Sequence, residues 1–162
     1  MTAFFLAVHV LAAILAVGPV AVAASMFPAA ARRVTHPDAS VRGGQADGLA
    51  ALRVLHRVCR VYALAGLAVP VFGFATASGL GVLGDAWVIA SIALTGAAAA
   101  ILALWVLPRQ DAVLARLTAG DPTAAGLGRQ VARLAMLTGV FNLLWAAVTV
   151  LMIVRPGSTT GV

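Results

Sequence analysis

Three histidines, one cysteine and a scatter of hydroxyl and amide side chains are the groups in this chain with chemistry to offer. His9 is the most pointed of them. It lies inside an uncharged run, Met1–Ala31, and an ionisable group in such a run is costly and points to function by default. Counting ~1.5 Å per residue, Thr76, Ser91 and Thr149 fall at about its depth in the other three apolar runs. An intramembrane polar layer of His9, Thr76, Ser91 and Thr149, with Asn142 deeper in the last run, is the expected arrangement. Two chemistries suit His9. It is either a functional group, ligating haem or a metal or relaying protons, or a neutral imidazole bonded across helices, a contact worth about 0.6–2 kcal/mol. A second ligand is missing, which favours the interhelical bond and no cofactor, with haem b on His9 as the rival.

The other histidines do not supply that ligand. His36 and His56 belong to the opposite membrane face, about 25–30 Å of bilayer from His9. Both are expected to be solvated loop residues, since an Arg-flanked pair without carboxylate or Cys partners is a poor metal site. Cys59 is alone, so an internal disulfide and a CxxC motif are ruled out by count. Asn142 is expected to bond Thr95 or a backbone carbonyl of another helix.

Four stretches lack any charge: Met1–Ala31, Val61–Gly84, Ala86–Pro108 and Leu134–Val154. Each reaches the ~20 residues that a helix needs to cross hydrocarbon. Backbone polar groups in lipid must be satisfied within the segment, and runs this long are not barrel strands. The expected fold is all-α, a four-helix transmembrane bundle with spans at about 3–27, 61–83, 86–107 and 134–154. Charged residues make up only 10% of the chain, far below the ~25% of a soluble domain.

The net charge of +6 comes from eleven Arg against five Asp, with no Lys or Glu. In a soluble protein that balance suggests nucleic acid. Here ten arginines lie between spans one and two or between spans three and four, and only Arg155 lies elsewhere. Positive loops stay in the cytoplasm, so both termini face out, and no nucleic-acid partner is implied. Arg32, Arg33, Arg53, Arg57, Arg60, Arg129 and Arg133 form a cytoplasmic basic collar suited to anionic lipid headgroups. The Arg-only, Ala- and Val-rich composition fits a G+C-rich bacterial genome, hence a bacterial cytoplasmic membrane. Ala21-Val22-Ala23 after an apolar run resembles a signal-peptide cleavage site, although no basic residue precedes that run.

Punctuation refines the spans. Pro19 should kink the first, Pro28 end it, Pro70 bend the second and Pro108 end the third. Trp87 and Trp105 read as interfacial anchors at opposite ends of the third span. Asp111–Leu117 reads as a short amphipathic piece, and Thr123 as the cap of the helix that follows. Val58–Gly66 aligns with Val131–Gly139, sharing Val, Arg, Leu and Gly, which fits two tandem helical hairpins. Small-xxx-small pairs such as Gly73 with Ala77 allow close helix packing and leave homo- or hetero-oligomers open.

The opening Phe5-Leu6-Ala7-Val8-His9-Val10-Leu11-Ala12-Ala13-Ile14-Leu15-Ala16-Val17-Gly18 resembles the first helix of the domain-of-unknown-function 2269 family of four-span bacterial membrane proteins. It is also similar, more distantly, to the copper-resistance D-type membrane proteins, whose membrane histidines are associated with haem or metal. His9 and Gly18 carry the likeness, and Val17 stands where an aromatic is common. The resemblance implies a four-span bundle and makes His9 the residue for any haem.

The leading functional expectation is a non-enzymatic accessory or structural subunit. Its rivals are a haem- or metal-binding redox or proton-handling protein using His9, and a subunit of an oligomeric small-molecule transporter. No Asp, Glu, Lys or Arg lies within a span to mark an ion route. Reporter fusions test the topology: those at Gly44 and Gly126 should be active as cytoplasmic reporters, and one at Gly84 as a periplasmic reporter. The opposite pattern would defeat the charge argument.

Overall fold

A computed structural model describes residues 2–35, 42–120 and 124–157. The fold is all-α, a four-helix bundle, and its four long helices are each long and apolar enough to cross a membrane. The chain is a multi-pass membrane protein. Helix α1 (Thr2–Val34) is followed by α2 (Arg42–Ala65) and α3 (Ala68–Leu80), which together make the second span. The third comprises α4 (Ala86–Ala100), a π-helical segment (Ile101–Val106) and α5 (Leu107–Thr118). The fourth is α6 (Ala124–Val154).

Proline acts differently from the sequence expectation in three places. Pro19 and Pro28 both lie inside α1, which runs on to Val34 instead of stopping at Phe27. Phe27, Ala31 and Val34, at i, i+4 and i+7, are all buried, and that packing outweighs one lost backbone donor. In the second span the break falls at Gly66–Leu67, not at Pro70. The N–H that Pro70 lacks would have bonded Gly66, four residues back. Val69 N–H bonds the Gly66 carbonyl instead, at 3.1 Å, in a tighter turn.

The third correction is at Pro108, which does not end the third span. The helix widens into the π segment just before it, Leu107 N–H reaching back five residues to the Leu102 carbonyl. The chain then continues helically through Pro108 to Thr118. Ala98, Leu102, Val106 and Gln110 are all buried at a constant spacing of four. In an ideal α-helix each such step drifts by ~40°, so the wide turn is what keeps this stripe facing inward.

Packing is uneven along the membrane normal. Helix α1 lies antiparallel to α2 and α3 over its whole length, with Thr2 beside Gly79, His9 beside Gly73 and Val34 beside Gly48. Helix α6 packs on α4 and on α1, while α3 and α4 touch only sparsely although a short turn joins them. That turn opens with Gly81 at φ 71°, its N–H on the Ser78 carbonyl, a left-handed helix stop. Most of the large core side chains (Phe27, Leu52, Val106, Val113, Leu134, Phe141) lie toward the Arg-rich end. The bundle is tight there and looser at the other end.

Gly48 is the tightest contact in the first hairpin: a Cβ there would sit 2.5 Å from Val34 Cγ2. Valine is stiff and Val34 is buried, so the clash is not relieved by rotation. Gly48→Ala should lower thermal stability by about 1–3 kcal/mol of overpacking, less up to ~1 kcal/mol of helix propensity. Gly48→Ala combined with Val34→Ala should be more stable than Gly48→Ala alone, as thermal unfolding in detergent would show. Equal stability of the two would refute the contact.

Candidate functional site

His9 reaches across from α1 to the second span. Its Nδ1 lies 2.8 Å from the Val69 carbonyl, and so carries the proton and donates it. Val69 stands just beyond the Gly66–Leu67 break. Room for the ring comes from Gly73, where a Cβ would be 2.9 Å from His9 Cε1. Break, carbonyl and glycine together hold the imidazole in one orientation. Among the described residues no side chain meets Nε2, whose lone pair is left unused.

The other members of the expected polar layer do not converge on His9. Thr76 Oγ1 donates to the Phe72 carbonyl at 2.8 Å, Ser91 Oγ to Trp87 at 2.8 Å and Thr149 Oγ1 to Trp145 at 2.9 Å. Each hydroxyl is spent on its own helix, four residues back, as is usual where no water competes. Asn142 does bond another helix, but its partner is not Thr95. Its Nδ2 donates to Ser25 Oγ at 3.0 Å, and Ser25 passes the bond on to the Ala21 carbonyl at 2.7 Å. Antiparallel α1 and α6 bring those two small polar groups level, and the sequence carried no register signal for that pairing.

A second polar cluster lies at the Arg-rich end and corrects the reading of His56 as a solvated loop residue. His56 is buried, its Nδ1 donating to Gln110 Oε1 at 3.0 Å. Gln110, fully buried, in turn donates its Nε2 to Cys59 Sγ at 3.6 Å. His56 Nε2 lies 2.9 Å from Asp111 Oδ1 without a hydrogen bond between them, a pair that is ionic only when the imidazole is protonated. Asp111 is exposed whereas His56 is buried. The chain Cys59–Gln110–His56 therefore ties α2 to α5.

A signal for His56 was present: Leu52, His56 and Cys59 fall at i, i+4 and i+7, the buried stripe of α2. Arg53, Arg57 and Arg60 make the adjacent stripe and are exposed, as are Arg32, Arg33, Arg129 and Arg133. Gln110 carried no such signal, because its phase depends on the π segment. His36 and Thr123 lie outside the described residues. Among the described residues, His, Cys, Asp and Glu side chains form no group of three fit to hold a metal. Trp87, at the turn between spans two and three, donates Nε1–H to Asp85 at 3.1 Å and carries the Arg155 guanidinium over its ring at 5.7 Å.

No family model, curated protein or solved structure matches the chain.

Two substitutions separate the clusters. Gly73→Ala should displace His9 from Val69 and cost about what His9→Ala costs, ~0.6–2 kcal/mol, the double variant costing little more than either. Gln110→Leu should cost about 1–3 kcal/mol by stranding His56 Nδ1. Thermal unfolding in detergent reads both, and strict additivity of His9→Ala and Gly73→Ala would break the link between them.

Proposed function

We propose that the chain is a non-enzymatic accessory or structural subunit of the bacterial cytoplasmic membrane, with both termini outside. One observation carries this reading: five polar side chains of the spans are spent on the protein's own scaffold, while Thr138 Oγ1, Asn142 Oδ1 and Trp145 Nε1 find no partner among the described residues. The hydroxyls of Thr76, Ser91 and Thr149 bond their own helices, and Asn142 and His9 join α6 and the second span to α1. Side chains committed in this way stabilise a bundle and do not converge on a substrate. The outward orientation rests on ten arginines gathered at one end of the bundle. A module of this kind acts through what it associates with, a partner chain or further copies of itself. Extracted from its own membranes in mild detergent, it should migrate on a native gel well above a single chain. A monodisperse single chain would overturn the subunit reading.

A second reading has its own supporting observation. A ligating histidine characteristically donates its other ring N–H to a carbonyl, and His9 Nδ1 does so to Val69, leaving Nε2 free. The first-helix likeness to the copper-resistance D-type proteins points the same way, as does that to the 2269 family for a four-span membrane protein. On this reading the purified protein shows a Soret band that His9→Ala abolishes and His56→Ala spares. On the leading reading no Soret band exists, and His9→Ala changes stability alone. Haem that survives His9→Ala unchanged would sink both accounts of His9.

A further inference from the structure

At the start of α6 an open cleft of about 220 Å³ is lined by Gly126, Arg129, Gln130 and Arg133. Arg116 of α5 leans over it, its Nη1 3.6 Å from where a Gly126 side chain would begin. Among the described residues no carboxylate lies within ion-pair distance of Arg116, Arg129 or Arg133. Gln130 Oε1 is buried and has no partner there. Three guanidiniums and the positive end of a long helix thus surround an acceptor that wants a hydrogen-bond donor.

The face continues downward. Arg129 and Arg133 lead at helical spacing into Met136, Val140 and Leu143, at i+7, i+11 and i+14 from Arg129, and all of these are exposed. From Arg133 to Leu143 is ten residues, ~15 Å of helix, half of the ~30 Å hydrocarbon core. A basic head above an apolar stripe one leaflet deep has the dimensions of a single phospholipid. We infer that this face of α6 holds one anionic glycerophospholipid: its phosphate on Arg129 and Arg133, a headgroup hydroxyl toward Gln130 and an acyl chain along Met136, Val140 and Leu143. An ethanolamine headgroup fits less well, because its ammonium meets the same guanidiniums. A glycerol headgroup supplies the hydroxyl donor without that charge. The site is defined by α5 and α6 alone, so it stands whichever way the chain is oriented and whether or not it is an accessory subunit.

Native mass spectrometry of the full chain in mild detergent tests this, with phosphatidylglycerol, phosphatidylethanolamine or inorganic phosphate added. Wild type should retain phosphatidylglycerol in preference to phosphatidylethanolamine, and inorganic phosphate alone should not displace it. Arg129→Gln with Arg133→Gln should weaken that retention by roughly 25-fold, while Arg53→Gln with Arg57→Gln leaves it unchanged. Gln130→Ala should narrow the preference for phosphatidylglycerol, and it decides the matter if the double arginine variant does not fold. Equal retention of both lipids overturns the proposal. So do equal losses in the two arginine pairs, which would mean a diffuse basic collar, and complete displacement by phosphate, which would mean an ion site only.

Discussion

Every backbone N–H and C=O that enters hydrocarbon must find its partner inside the protein, and the irregular features of this fold answer to that demand. Pro70 and Pro108 each remove a donor within or beside a span. The chain meets the first by breaking at Gly66–Leu67, where a tighter turn takes up the Gly66 carbonyl. It meets the second by widening, with Leu107 reaching back to Leu102. The hydroxyls of Thr76, Ser91 and Thr149 meet the same demand by turning back onto their own helices, whereas buried Thr138 Oγ1 has no partner among the described residues. The two polar clusters lie beside these two repairs, His9 against the carbonyl just past the break and Gln110 just beyond the wide turn.

The separation of tight and loose ends follows from residue size and charge. Toward the Arg-rich end, Phe27, Leu52, Leu134 and Phe141 close the interior, and the Cys59–Gln110–His56 chain crosses it without leaving His56 Nδ1 bare. At the other end large side chains such as Phe4, Leu11, Phe74, Ile89 and Ile153 are exposed, most of the buried positions (Ala16, Val69, Thr76, Ser91, Val148) are smaller, and α3 parts from α4. The bundle is anchored where it is bulky, and its thin end is held by fewer contacts, among them the His9–Val69 bond and the Trp87–Asp85 and Arg155–Trp87 pairs.

The fold class was legible because charge and hydropathy divide this chain sharply, and twenty-odd uncharged residues leave a helix little alternative. Helix ends were less legible. Ala29–Val34 continues α1 through Pro28 because its buried face packs, and packing is a property of neighbours rather than of the segment itself. His56 was readable from the Leu52–Cys59 stripe, yet its flanking arginines made it look solvated. Gln110 was not readable at all, since a six-residue change of pitch upstream sets which way it faces. The polar layer failed for a related reason. Equal depth brings side chains level, but rotation about each helix decides whether they meet.

That change of pitch has a consequence for how the chain tolerates variation. The π segment acts as one surplus residue stored in the third span, a phase correction of ~100° for everything after it. Losing a single residue between Ile101 and Val106 would leave a regular helix of ample length, still able to cross the bilayer. Gln110 would keep its phase toward His56 and Cys59, because the residue lost is the surplus one; it is a return to regular pitch at full length that would swing Gln110 away by ~100° and turn Arg116 off the start of α6. Loss of one residue is therefore absorbed in this short stretch, whereas a further insertion, or a substitution that restores the regular pitch at full length, is not.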